Sequence, residues 1–186
     1  WSAGVFRAIN DQDILFVASE QTGYGYFRNF GQTRRQGLEL SLSGAINSEW
    51  SYGVHYNWLQ ATYQSDETVA GNSNSSNNAG PGLEGNIAIK PGDRIPMTPS
   101  QMLKLQVGWK PNAQWRLGLD MQAVGRSIAR GNENNAHEAD GTYYSGAGHN
   151  PGYAVFNLSG QYALQPGWTL TGRINNLFDT RYTTAA

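Results

Sequence analysis

The sequence predicts an all-β chain: part of an antiparallel transmembrane β-barrel, with about seven strands in hand. Three observations lead there. Apolar and polar residues alternate one by one over stretches long enough to cross a bilayer as strands. The connections between these stretches alternate between short turns and long polar loops, the asymmetry of barrels that face water differently on their two sides. No run of about 18 apolar residues offers a spanning helix, and the mean hydropathy of −0.54 suits strands that average a lipid-facing set with a lumen-facing set. With 12% aromatic residues, 15% charged residues and 23 glycines, the composition agrees with a strand-rich chain of many turns.

The strands follow in order. Residues 1–18 open on Trp1. In residues 26–46, Leu38, Leu40 and Leu42 oppose Glu39, Ser41 and Ser43. The clearest strand is 49–64, where Trp50, Tyr52, Val54, Tyr56 and Trp58 share one face and Ser51, Gly53, His55 and Asn57 the other. Large aromatics at both ends of that apolar stripe fit interfacial girdles better than a compact core. In residues 101–110, Leu103, Leu105, Val107 and Trp109 oppose Lys104, Gln106 and Lys110; in 114–127, Trp115, Leu117, Leu119 and Met121 oppose Arg116, Asp120 and Gln122. Residues 152–164 set Ala154, Phe156, Leu158 and Tyr162 against Asn157, Ser159 and Gln161. Residues 167–178 set Trp168, Leu170 and Ile174 against Thr169, Thr171, Arg173 and Asn175. A soluble sandwich would turn its apolar side inward and leave these charges outside; a barrel wall does the reverse. Glu39, Lys104, Arg116, Asp120 and Arg173 therefore belong to a polar inner wall.

Asn47-Ser48-Glu49, Pro111-Asn112-Ala113-Gln114 and Gln165-Pro166-Gly167 are the short turns. Residues 65–100 and 127–151 are the long connections, rich in Asn, Gly and Ser. Trp1, Trp50, Trp115 and Trp168 each begin an alternating run with a glycine shortly after (Gly4, Gly53, Gly118, Gly172), which predicts a tryptophan belt at the short-turn interface. Seven strands cannot close a bacterial barrel, which has an even number from 8 upward, so further strands are expected elsewhere in the parent protein.

Three segments carry a family resemblance. Asn175-Asn176-Leu177-Phe178-Asp179-Thr180-Arg181-Tyr182 resembles the C-terminal signature of TonB-dependent receptors. Asn29 followed by Arg34-Arg35-Gln36-Gly37-Leu38-Glu39 resembles their Arg-x-x-Gly-x-Glu segment, and Asp93-Arg94-Ile95-Pro96 with Pro99 resembles their Arg-Ile-Pro-x-x-Pro lead into a descending strand. The resemblance implies a 22-stranded barrel filled by an N-terminal plug. Residues 1–186 would then be a C-terminal portion of the barrel domain, about strands 15 to 21, with the plug and the last strand outside this sequence. It implies a bacterial outer-membrane receptor that imports a metal chelate such as a ferric siderophore or cobalamin. Its energy would come from the TonB-ExbB-ExbD complex through the N-terminal region and its TonB box, and its surroundings would be lipid and lipopolysaccharide. A passive porin, or a barrel enzyme or adhesin, are the alternatives.

No catalytic constellation emerges. His55, His137 and His149 are dispersed, there is no cysteine, and His137-Glu138 lacks the second histidine of a zinc hydrolase helix. The glycines from Gly146 to Gly152 neither follow a strand nor open a helix, so they read as loop rather than phosphate cradle. Asp66, Glu67 and Asp93 in one loop and Glu133, Glu138 and Asp140 in the next lack calcium-loop spacing and read as solvated surface. The net charge of −1 gives no reason to expect nucleic acid, and no cofactor is expected. Ligand contact falls to the long loops, which a rigid scaffold commonly uses for recognition. There Arg94, Arg130, Asn132, Asn134, Asn135, His137, Tyr143 and Tyr144 offer cations, amides and aromatic faces suited to a large polar metal chelate.

Overall fold

The computed structural model describes residues 1–18, 24–71, 86–137 and 147–184. Among them every regular element is a strand: β1 (Ser2–Ala18), β2 (Gly25–Ala45), β3 (Trp50–Tyr63), β4 (Glu67–Ala70), β5 (Asn86–Ile89), β6 (Gln101–Trp109), β7 (Trp115–Val124), β8 (Ser127–Ile128), β9 (His149–Asn150), β10 (Tyr153–Gln165) and β11 (Trp168–Ile174). Seven of these make one antiparallel sheet in the order β1-β2-β3-β6-β7-β10-β11. It is an open arc of barrel wall with β1 and β11 at its edges. The four others, β4 with β5 and β8 with β9, are short antiparallel pairs inside the two long connections. Sequence alternation located the seven long strands but not these.

The register settles the two faces, because residues directly opposite one another share a face. Leu42, Val54, Leu105, Met121 and Phe156 form one continuous apolar row across five strands. Tyr52, Val107, Leu119, Leu158 and Ile174 form another. Between them Ser43, Gly53, Gln106, Asp120 and Asn157 line up on the opposite face. That polar face has its own bonds: His55 Nδ1 lies 3.0 Å from the Ser41 hydroxyl, and the Asn57 amide donates to Glu39 at 3.3 Å. An apolar face this broad with nothing packed on it belongs against lipid.

The register shows how the tryptophans run across the arc. Trp50 stands opposite Trp109 and stacks on it with centroids 5.2 Å apart, while Trp115 packs on Tyr162 at 4.7 Å. Followed across the strands, Trp1 lies four residues above Trp50, Trp115 two below it and Trp168 four below it. Strands tilted as in a barrel wall give a drift of this one direction along an interface.

Strand height varies along the arc. β6 and β7 are 9 and 10 residues long, the length that crosses a bilayer, whereas β1 and β2 are 17 and 21. The β1–β2 hairpin therefore rises far past the rim on the long-loop side. Within it Gln12 takes the left-handed region (φ 54°). Beyond this switch one Asp13 carboxylate oxygen accepts from both the Thr33 hydroxyl at 2.6 Å and the Arg35 guanidinium at 2.7 Å.

Two predicted strands end early. β7 stops at Val124, where Gly125 donates to the Gln101 carbonyl at 2.8 Å. β11 stops at Ile174, because the next segment contains two left-handed residues, Asn176 (φ 52°) and Asp179 (φ 49°), which asparagine and aspartate tolerate better than other side chains. The Asn176 side chain accepts from the Thr180 N–H at 2.9 Å and donates to the Thr180 carbonyl at 3.0 Å. Its own N–H donates to the Asn157 side chain, and Leu177 N–H donates to the Phe156 carbonyl at 2.7 Å. Phe178 packs edge-on against Phe156, and Tyr182 stacks on Tyr153. The Asn-Leu-Phe-Asp segment thus continues along β10 as an irregular edge.

Candidate functional site

The long connections all emerge at the end of the sheet where the β1–β2 hairpin rises, and there they build a small apolar core. Val17 of β1, Phe30 of β2, and Ala61 and Tyr63 of β3 pack with Val69 of β4, Ile87 and Ile89 of β5, and Ile95. Ile87 and Ile89 are fully buried, on a pair of short strands whose alternation is visible in Asn86-Ile87-Ala88-Ile89. The described parts of the loop after β3 therefore form a folded layer rather than a polar tether.

Its charges also hold it in place. The Arg28 guanidinium bonds Glu67 at 2.6 Å and the Thr68 carbonyl, while the other Glu67 oxygen accepts from the Gly31 N–H at 2.7 Å and the Ser65 hydroxyl at 3.2 Å. Lys90 pairs with Asp66 at 2.8 Å, fully in solvent. Glu67, read from sequence as solvated surface, is instead the pin between β4 and β2. Its partner Arg28 lies 39 residues away and carried no sequence signal.

The second loop, between β7 and β10, is laced to the first. Asn135, in the left-handed region at φ 58°, accepts from the Arg94 N–H at 2.7 Å and donates to the Arg94 carbonyl at 3.0 Å. Met97 N–H donates to the Ile128 carbonyl at 2.9 Å. Asn132 is buried and donates to the Gly148 carbonyl at 2.8 Å while accepting from the His137 N–H at 2.9 Å. Asn134 accepts from the Ala136 N–H at 3.2 Å. Arg130 reaches back across the hairpin and lies over the Phe16 ring, 4.4 Å from its centroid.

The sequence-nominated residues therefore fall into two groups. Asn132, Asn135 and the buried His137 face into the loop layer, and Arg94 offers Asn135 its backbone. Arg130 is exposed, and so are Arg126, Tyr24, Phe27 and His149, which sequence reasoning did not nominate; Phe27 lies edge-on to Phe16, the ring under Arg130. Tyr143 and Tyr144 lie outside the described residues. Glu133 was also unanticipated as a buried group: it is 3% exposed, with one carboxylate oxygen accepting from the Gly131 N–H at 3.0 Å and the other without a partner among the described residues. Burial pushes its carboxyl above the ordinary range. Among the described residues no three His, Cys, Asp or Glu side chains converge on a metal-sized site. Exposed guanidinium, imidazole and aromatic groups of this kind can hold an anionic or aromatic solute.

Comparison with known proteins agrees with this architecture. The family model described as TonB dependent receptor-like, beta-barrel, matches residues 1–177. The metal-pseudopaline receptor CntO of Pseudomonas aeruginosa is 23% identical over 166 residues, covering 89% of this chain and 20% of the receptor. Among solved structures, the siderophore receptor PiuA from Acinetobacter baumannii superposes with a TM-score of 0.69 at 20% identity, covering 98% of this chain and 22% of that one. The ferric yersiniabactin uptake receptor FyuA from Yersinia pestis gives 0.66 at 16% identity, with 98% and 23% covered, and the copper transporter OprC gives 0.64 at 18%, with 97% and 23%. The chain spans about a fifth of the length of the curated relatives it matches.

Proposed function

This chain belongs to the family of TonB-dependent receptor-like β-barrels, transport receptors of the bacterial outer membrane rather than enzymes, and from that premise we propose that its parent protein binds and imports a metal chelate. A ferric siderophore, cobalamin or a similar polar complex is captured at the long-loop end and passed through the lumen. The energy comes from the TonB-ExbB-ExbD complex, engaged by a TonB box that lies outside this sequence. Residues 1–186 serve as a C-terminal portion of a 22-stranded barrel, about strands 15 to 21, whose polar wall of Glu39, Lys104, Asp120 and Asn157 faces a plug. The apolar rows face lipid, and the rim meets lipopolysaccharide.

The observation that carries this reading is the family match over nearly the whole chain, joined to loops that are folded and anchored. Loops held in place present a preorganised surface, which lowers the ordering cost of binding. Arg126 and Arg130 supply the positive charge such a chelate needs, and Phe27, edge-on to the Phe16 ring that Arg130 covers, adds an aromatic face.

The test is uptake and binding by the full-length receptor across iron, cobalt and copper chelates, in cells with and without TonB. Saturable binding of one chelate class, with uptake that stops when TonB is removed, is the expected result. Uptake that continues unchanged without TonB and never saturates would overturn the proposal in favour of a passive pore.

A further inference from the structure

We infer that Arg7, Arg34 and Arg94 form a phosphate-binding site on the lipid-facing side of the wall, at its long-loop rim, for the phosphorylated headgroup of lipopolysaccharide. The register puts all three on one face. Val5, Leu38 and Trp58 make the last apolar row at that end. The next row is Arg7, Gln36 and Gln60; the one after it is Ile9, Arg34 and Thr62, and it continues to Arg94 through the bridge between Thr62 and Arg94. Residues directly opposite one another share a face, so these guanidiniums stand on the side that carries Leu42 and Val54 lower down. Tyr63 N–H donates to the Asp93 carbonyl and Ile95 N–H to the Ala61 carbonyl, which fixes the pairing around Arg94. Ile95 then turns inward to the loop core, and its neighbour Arg94 turns outward.

Below these rows the outer face of the seven long strands carries no charged residue, so the change from apolar to cationic falls just past Trp58. An indole marks the interface, and each row is about 7 Å further along the strand, which sets both rows at headgroup depth. Arg7 is diagonal to Arg34 at a Cα separation of about 7–8 Å, and Arg94 is two strands from Arg34, about 10 Å. Guanidiniums so spaced can fork onto the oxygens of one doubly phosphorylated headgroup. None is spent inside the protein. Among the described residues the ion pairs are Arg28–Glu67, Arg35–Asp13 and Lys90–Asp66, and the Arg34 Nε is shielded without an acceptor. Gln36 donates to Gln60 at 2.8 Å, so these amides satisfy each other. On β1, β2 and β3 below the Gln12 switch the one acid sharing this face is Asp11, a row further out and held by the Gln32 amide at 2.9 Å. A hollow of about 390 Å³ lined by Val5, Phe6, Arg7, Gln36, Gly37 and Trp58 gives the lipid an apolar seat next to the Arg7 charge. This deepens the transport reading and rests on its placement of the apolar rows against lipid; it also moves Arg94 from the chelate side to the membrane side.

The experiment titrates the full-length receptor, stripped of lipid in nonionic detergent, with diphosphoryl lipid A and counts bound lipid by native mass spectrometry. The parent is compared with Arg7→Gln, with the triple variant Arg7→Gln/Arg34→Gln/Arg94→Gln, and with Arg116→Gln as an inner-wall control; heat-modifiability gels show that each is folded. Arg7 is exposed, so its single variant keeps the fold even if the triple variant does not. The expected loss of affinity is about fivefold for Arg7→Gln and roughly a hundredfold for the triple variant, with Arg116→Gln at the parent value. Neither phosphatidylglycerol nor inorganic phosphate at the same concentration displaces the lipid A. Parent affinity in Arg7→Gln and in the triple variant would overturn the inference, as would an equal loss in Arg116→Gln or displacement by either competitor. Undiminished lipid A binding by the variants, with Val54→Arg still costlier than Asn57→Arg, would sink the site and leave the orientation of the wall standing.

Discussion

Placing arginine at Val54 measures the facing of the whole arc. Val54 lies between Leu42 and Leu105 in the apolar row, four residues above Trp50 and four below Trp58. At about 3.4 Å per residue and a tilt near 40°, it stands roughly 10 Å from each of those aromatics along the membrane normal, close to the midplane. A charged side chain on the lipid face at that depth costs about 2–4 kcal/mol. Asn57→Arg puts the same charge on the polar face beside Glu39, to which Asn57 now donates, and its cost stays below about 1 kcal/mol. Both variants of the full-length receptor are unfolded with denaturant from lipid vesicles, and stabilities are compared by linear extrapolation. A larger loss for Asn57→Arg than for Val54→Arg would refute the assignment, because a slip of one residue exchanges the faces of an entire strand.

Other expectations follow from single contacts. Asn176→Ala loses both bonds to Thr180 and forces alanine into φ 52°, a cost of about 1–3 kcal/mol, whereas Asn176→Gly keeps the backbone free and loses less; the temperature at which the folded band disappears in heat-modifiability gels ranks the two. Glu133 has a carboxyl raised by burial, so the folded loop holds its proton more tightly than the opened loop does. The resulting stability is full below the ordinary glutamate range and declines as pH rises from there through the raised value, so exchange at Gly131, corrected for its intrinsic rate, shows less protection at higher pH, and Glu133→Gln removes the trend. Shortening residues 72–80, which lie outside the described residues, leaves barrel assembly intact in the same gels, while a cut that also removes Thr68 and Val69 lowers the folded yield, since Val69 is in the loop core and the Thr68 carbonyl receives Arg28.

The strands and their two faces were legible because a period of two is a local property: Trp50 to Trp58 alternate whatever lies around them. The register was not, and Trp1 shows why, since its height depends on which residue of β2 it stands beside. The loop layer was half legible. The alternation of Ile87 and Ile89 marks a buried strand, yet it is masked by the Asn-, Ser- and Gly-rich residues before it. The roles of Asn132 and Asn135 were out of reach, because an amide offered to solvent and an amide spent on a backbone 41 residues away have the same local sequence. Glu67 and Arg28 were hidden for the same reason: a long-range partner turns a surface charge into a pin.

β2 runs without interruption for 21 residues from the loop core to the short-turn side, paired with β1 from Gly25 to Ser41 and with β3 from Thr33 to Ala45. Mechanically it is a cantilever clamped in the membrane. Any load on β4 or β5 reaches Phe30 and the Arg28–Glu67 pin, and from there it has an unbroken strand to follow down to Leu38, Leu40 and Leu42.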